Sequence, residues 1–549
     1  MSLTISSELL AATTSEALAR QREEMARWHR SDQEWSIDVA RLDDVALGDI
    51  GSAAVTVSDA KISRAVEAIL LARQGDFRKV VPNHKAFQAV LVAFLRHDIR
   101  DGWIYVAGPD NHMYPELVTG VHFKSASVGH NQSPPSVEIV TASYGLASGD
   151  DYRRGERMGV MRHTYNFAPE DVTRKRVADI LSAKGIYHET PALRADYDVT
   201  FSRYLNEIVG AFAEQFVVSG APYATTDYGS PKASVANHKV IHDIAPSDLG
   251  AVTTFTESDL FTGDAERGGV GAIPQYPIIR VFDLRTHEFY WMHGDSMTRY
   301  VYDKSLRDKI ILPQSHRDLL DVLTTDLGAF VADIIEGKSA GNVILCRGIP
   351  GVGKTLTAEV YSELVERPLY SVHSGNLGTT AADIEKNLKR IFVQAKRWNC
   401  VLLLDEADVF VVQRGYDIQQ NAIVAEFLRS LEYFDGLLFM TTNRPDNIDE
   451  AIISRCAAII GYTPPGRDGA AAVWHVMARQ YDTTIPDDLL EEVLDMFPRI
   501  APRDIKMLLR LALRVSISEG IALSPALFRR CAMFRDIEMD ETVVEAVGA

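Results

Sequence analysis

The sequence predicts an α/β protein: a P-loop nucleotide-binding parallel sheet with an all-α C-terminal lid, preceded by an α/β (α+β) N-terminal region. Three observations carry this. Gly348-Ile349-Pro350-Gly351-Val352-Gly353-Lys354-Thr355 fits the phosphate-loop pattern G-x-x-x-x-G-K-[ST], with an apolar run before it and a helical pattern after it. Two apolar runs, at 400–404 and 437–440, end in polar residues, as central parallel strands covered on both faces do. Beyond Pro464-Pro465 the pattern becomes helical, over 470–480, 487–496 and 504–518.

From the N-terminus, residues 5–30 read as one helix with Leu9, Leu10, Leu18, Met25 and Trp28 spaced broadly along a face. Helices are expected over 59–75 and 84–98, and strands at 103–106 and 136–140. A helix over 171–184 follows Pro169-Glu170-Asp171, and a further helix is expected over 201–218. Residues 219–275, rich in Gly, Ser, Thr, Ala and Pro, read as loop, with Gly268-Gly269-Val270-Gly271 as a flexible segment. The runs 278–284 and 288–292 flank a polar turn and predict a β-hairpin whose aromatics pack across strands. The histidines are scattered and show no metal-ligand spacing. A helix over 319–335 leads into the nucleotide-binding core. The expected division is 1–305 as a substrate- or partner-recognition region, 306–465 as the nucleotide-binding domain and 466–549 as the lid.

In the core, each residue type answers a chemical need. The glycines let backbone N–H groups curl around a β-phosphate, and the following helix turns its partial positive end toward the anion. Lys354 supplies a cation for the β- and γ-phosphates, and Thr355 a hydroxyl for Mg²⁺. Gly348, Pro350, Gly351, Val352, Gly353 and Leu356 complete the expected ATP-binding set. The strand at 400–404 delivers Asp405 for Mg²⁺ and Glu406 to polarise the attacking water. Asn443 either orients that water or simply ends its strand. Arg455 either reaches a neighbouring subunit's γ-phosphate or forms a surface ion pair, with Arg444 as a less favoured candidate. Arg503 folds over the phosphates from the lid or pairs with Asp504.

The chain has 549 residues and a formal charge of −18, which disfavours a nucleic-acid partner. Its four cysteines, Cys346, Cys400, Cys456 and Cys531, form no C-x-x-C pair. That disfavours a zinc or disulfide framework and suits a reducing cytoplasm. No apolar run reaches the ~18 residues of a membrane span, and the first residues lack a secretory pattern.

The order of the phosphate loop, 402–406, Asn443, Arg455 and Arg503 resembles the AAA+ ATPases. Within that family, the runs 367–378, 405–410 and 302–313 look most similar to poorly characterised AAA proteins known from fungi, with a distinct N-terminal region ahead of one ATPase module. The resemblance implies a Walker A loop, a Walker B strand, a sensor-1 asparagine, an arginine finger acting in trans, a sensor-2 arginine, and a ring or spiral most often of six subunits. It further implies ATP hydrolysis with Mg²⁺, coupled to remodelling of a protein client. A nucleic-acid motor or loader and a nucleotide-gated scaffold are the alternatives. One departure stands out: the first pore loop falls at Gly378-Thr379-Thr380 and lacks an aromatic. A second loop, Gln413–Asp417, offers Tyr416.

Overall fold

The computed structural model describes residues 2–28, 34–74, 76–97, 101–126, 134–147, 157–225, 234–245, 255–257, 270–324, 342–378, 380–535 and 537–539. The chain forms two units, one of Met1–Phe212 with Phe216–Arg299, the other of Ala213–Gln215 with Tyr300–Ala549.

The first unit opens with β1 (Ser2–Ser6), α1 (Ser7–Ala12), α2 (Ala19–Trp28), β2 (Glu34–Asp38), α3 (Asp44–Thr56), α4 (Ala60–Gln74) and α5 (His84–Arg96). Next come β3 (Trp103–Ala107), β4 (Met113–Lys124), β5 (Ser136–Ala147), β6 (Arg157–Phe167), α6 (Pro169–Val172), α7 (Val177–Ser182), β7 (Ile186–His188) and α8 (Pro191–Arg203). The unit ends with β8 (Gln215–Gly220), β9 (Ala224–Thr225), β10 (Val235–His242), β11 (Phe255–Glu257), β12 (Val270–Ala272), β13 (Ile278–Asp283), β14 (Phe289–His293) and β15 (Met297–Arg299). β6-β5-β4-β3-β7 make an antiparallel sheet. Its strands alternate faces. Trp103 and Tyr105 pack with α1, α3 and α4, whereas Ile104 packs with α5 and α7. A second sheet runs β15-β8-β10-β13-β14-β9.

Several expectations are corrected. Ile5 and Ser6 lie in β1, paired with β2, and Thr13 ends α1, so 5–30 is not one helix. The helix over 171–184 is two pieces, α6 and α7. Thr173 closes the first on the Pro169 carbonyl, Arg174 is left-handed, and the Lys175 carbonyl accepts from Val81. The helix over 201–218 instead begins at Pro191, capped by Thr190, and ends in a π turn at Tyr204–Ile208. Left-handed Ala213 then reverses the chain into β8, which pairs with β15. The 219–275 loop contains β10, held by β13, and the segment expected to be flexible puts Val270 and Gly271 in β12, paired with β11; Gly268 and Gly269 lie outside the described residues. The expected hairpin forms from β13 and β14, with Val281 opposite Tyr290.

The second unit contains α9 (Gln314–Thr324), β16 (Asn342–Gly348), α10 (Lys354–Leu364), β17 (Leu369–His373), α11 (Ala381–Arg397), β18 (Val401–Asp405), α12 (Asp408–Val411), α13 (Ile418–Leu431), β19 (Leu437–Thr442), α14 (Glu450–Ile453) and β20 (Ala458–Tyr462). The expected helix at 319–335 starts earlier, at Gln314, and its residues past 324 lie outside those described. The sheet is wholly parallel, ordered β17-β18-β19-β16-β20, so the C-terminal ends of β16, β18 and β19 sit side by side. Helices α15 (Arg467–Gln480), α16 (Asp487–Met496), α17 (Pro502–Glu519) and α18 (Pro525–Met533) enclose a separate core around Trp474, Leu508 and Phe528. No helix among the described residues is long and apolar enough to cross a membrane.

In the first unit, buried Arg73 of α4 binds Asp179 Oδ1 at 2.6 and 3.0 Å, Asp44 Oδ1 at 3.0 Å and the Val39 and Leu42 carbonyls at 3.2 Å. Arg73→Ala strands the Asp179 carboxylate and is expected to cost about 3–5 kcal/mol, read from urea unfolding of the N-terminal unit. A second buried network surrounds Glu116, which accepts from Thr141 at 2.6 Å and Tyr276 at 2.7 Å and pairs with His163 at 2.7 Å. Burial works to raise Glu116, but His163, Thr141 and Tyr276 outweigh it and hold the carboxyl below its usual value of 4.5. The same bond raises His163 above 6.5 against burial. The histidine's contribution is complete below pH 6.5 and fades as pH climbs through its raised value. That of Glu116 holds above pH 4.5 and fades as pH falls through its lowered value. Unfolding midpoints of the N-terminal unit against pH should therefore peak between 4.5 and 6.5 for this pair, and His163→Gln should flatten the peak.

Candidate nucleotide site

The phosphate loop begins where β16 runs out. Gly348 has φ +153°, and a Cβ there would stand 2.3 Å from the Tyr462 carbonyl oxygen of β20. Glycine is what lets β16 and β20 keep their register to the loop's first residue. Gly351 (φ +85°) and Gly353 (φ +99°) are left-handed, and Gly353 caps α10. A Cβ on Gly351 would meet Arg503 Cβ at 2.8 Å, while the Arg503 backbone N–H donates to the Gly351 carbonyl at 3.1 Å. The first turn of α17 is thus seated directly on the phosphate loop. Pro350 lies in the phosphate loop itself, Val352 is buried, and Leu356 is partly exposed on α10.

Lys354 is buried, and its ammonium donates to the Gly348 and Ile349 carbonyls at 2.8 and 2.7 Å and to Asn443 Oδ1 at 2.9 Å. Burial lowers its pKa from the ordinary lysine value, against Asp408 and Asp405, which support its charge. Thr355 Oγ1 donates to Asp405 Oδ1 at 2.8 Å, and Thr441 Oγ1 donates to the same oxygen at 2.6 Å. The Glu406 N–H in turn donates to Thr441 Oγ1 at 2.9 Å. Glu406 leaves the strand with φ +53° and is exposed. The loop's glycines, the lysine and the Thr355–Asp405 oxygen pair fit a Mg²⁺–triphosphate: small residues where phosphates approach and oxygen donors for a hard cation.

Three supporting residues were missed in the sequence. Thr441 bridges Asp405 and Glu406. Asp408 accepts from the Thr442 hydroxyl at 2.6 Å and the Asn443 N–H at 2.9 Å, fixing the end of β19. Tyr462 donates to Thr357 at 2.8 Å behind the loop. Only the hydroxyls at the end of β19 hinted at this.

The structure does not bring Arg455 to this cluster within the chain. It pairs with Glu432 and donates to the Ala451 carbonyl at 3.0 Å. Arg503 is exposed, and its neighbour Asp504 pairs with Arg535 at 3.3 Å. Arg444 is also exposed. At the segment expected to be the first pore loop, Gly378 has φ +101°, Thr380 caps α11, and Thr379 lies outside the described residues. In the second, Arg414 anchors the loop to buried Asp449 at 2.8 Å and leaves Tyr416 fully exposed.

The family model for the ATPase family associated with various cellular activities (AAA) matches residues 344–463. The human ATPase family gene 2 protein homolog B is 32% identical over 125 residues, 21% of this chain and 17% of that protein. An uncharacterized AAA domain-containing protein of Schizosaccharomyces pombe is 29% identical over 150 residues, covering 25% and 19%. The AAA domain-containing protein FIGL1 of Arabidopsis thaliana is 26% identical over 205 residues, covering 34% and 30%. The chain thus spans less than a third of the length of these relatives. Residues 344–463 thus match an AAA domain, and the parallel sheet that holds them has a P-loop NTPase fold.

Gly348→Ala should lower the melting temperature of the second unit by an amount equivalent to ~2 kcal/mol or more and weaken binding of a fluorescent ATP analogue. Gly461→Ala, on the neighbouring edge strand β20 with open space around it, should stay within about 0.5 kcal/mol of the parent in both assays.

Proposed function

We propose that the protein is an oligomeric AAA+ ATPase that couples Mg²⁺-dependent ATP hydrolysis to remodelling of a protein client or complex. The observation that supports this most is the convergence of Lys354, Asn443, Thr355 and Asp405 at the ends of three adjacent parallel strands, beneath the seated first turn of α17. On this reading Lys354 exchanges its loop carbonyls for phosphate oxygens and keeps Asn443 beside them. Thr355 and Asp405 hold Mg²⁺, which supplies charge neutralisation at the phosphates. Glu406 accepts a proton from the attacking water, and Asn443 orients that water.

Arg455 acts on a neighbour's nucleotide. Its pairing with Glu432 is partly exposed, and such pairs are worth roughly 0–1 kcal/mol, so exchange for a phosphate at a subunit interface is cheap. Arg503, carried by α17, couples phosphate occupancy to the lid. The N-terminal region, residues 1–305, selects the client, and subunit movement rather than aromatic gripping at Gly378–Thr380 delivers the work. The acidic balance of the chain opposes a nucleic-acid client.

Glu406→Gln should retain ATP-analogue binding while phosphate release falls about 10²-fold or more. Undiminished hydrolysis in that variant removes Glu406 from the mechanism.

A further inference from the structure

Away from the nucleotide site, the first unit buries two histidines against each other. His112, in the turn between β3 and β4, and His293, at the end of β14, stack with ring centroids 3.5 Å apart and planes inclined by 23°. Both are almost wholly buried. Asp295, two residues beyond His293, completes a group in which one donor atom from each of the three residues lies within 4.8 Å of the others. We propose that His112, His293 and Asp295 form a binding site for a divalent transition metal of the zinc class, distinct from the Mg²⁺ proposed at the phosphate loop.

The His112 ring is set up to bind a metal. Its Nδ1 stands 3.0 Å from Asp110 Oδ2. A carboxylate only accepts, and its contact is closer than the 3.4 Å approach of the Lys61 ammonium to the same nitrogen, so Nδ1 carries the hydrogen and, in the neutral ring, Nε2 holds the free lone pair. That Nε2 is buried and has no hydrogen-bond partner. A buried acceptor left empty is unfavourable, and a metal ion satisfies it. Asp110 is itself clamped, accepting from Tyr114 at 2.6 Å and from the His112 backbone at 3.3 Å. This is the outer-shell carboxylate that orients a ligating imidazole and raises its basicity.

The other two donors are loosely held. His293 Nδ1 accepts a long bond from the Asp295 backbone at 3.3 Å and lies 3.8 Å from Asp295 Oδ2. Asp295 Oδ2 accepts from Thr200 at 2.9 Å, and its side chain is 39% exposed, which gives the ion a path from solvent. Donors on one tetrahedral zinc are roughly 3.3 Å apart, so binding draws the group inward and splays the stacked rings. Lys61 lies 3.4 Å from His112 Nδ1, and Arg203 lies 3.6 Å from Asp295. These two cations offset the two carboxylates. Selection therefore rests on the imidazole nitrogens, which favour Zn²⁺, Co²⁺ or Ni²⁺ over Mg²⁺ and Ca²⁺.

The test uses the full chain, stripped with EDTA and dialysed against Zn²⁺ or Co²⁺ with excess Mg²⁺ and no nucleotide. Bound metal, the visible spectrum of the Co²⁺ form and the melting temperature are read. One tightly held Zn²⁺ per chain is expected, with a Co²⁺ absorption band and a higher melting temperature. H112Q and D295N should lose all three signals, and D110N should weaken affinity about 10–100-fold. Metal-free melting curves identify any variant that fails to fold. Should H112Q fail, D295N decides, because its carboxylate is half-exposed. No retained Zn²⁺, or undiminished Zn²⁺ binding by a folded D295N or H112Q, overturns the proposal.

Discussion

A single carboxylate oxygen holds the nucleotide site together. Asp405 Oδ1 accepts from Thr355 on α10 and from Thr441 on β19 while belonging to β18. One acceptor thereby joins the phosphate-loop helix to two central strands. Through Thr441 it also fixes the backbone of Glu406, whose left-handed conformation sets that residue apart from the strand. Neither hydroxyl donor is near Asp405 in sequence. Only the parallel register of β16, β18 and β19 aligns them.

Two close approaches give that carboxylate its setting. On one flank, Gly348 passes the Tyr462 carbonyl with no room for a side chain, which pins the loop to the edge strand. On the other, Gly351 receives the first turn of α17. The loop is therefore held between the sheet and the first turn of α17. Lys354, buried and bonded to its own loop's carbonyls and Asn443, carries the charge at the centre of this arrangement.

The first unit buries polar assemblies beside its apolar cores. Arg73 joins α4 to α7 and α3 through carboxylates and carbonyls. Glu116 gathers a histidine, a threonine and tyrosines from three elements. The stacked pair His112 and His293 is a third such assembly, in which one nitrogen is left without a partner.

The sequence alone determined the nucleotide-binding half. Its signals are local: a glycine spacing imposed by left-handed backbone, apolar runs long enough for buried parallel strands, and polar residues at their ends. It equally determined the β13–β14 hairpin, because a short turn joins the two strands. Tertiary structure decided the rest. Apolar residues at 216–218 fit a helix or a strand, and pairing with Met297–Arg299 chose strand. Val235–His242 lacked a strong local pattern and was ordered by β13. Thr441 and Asp408 acquired their roles only when β18 and β19 were laid in register, and His112 met His293 only through folding of distant segments. A residue's own neighbours set backbone preference, but a hydrogen bond, an ion pair or a metal donor set depends on distances in space, which sequence spacing does not encode.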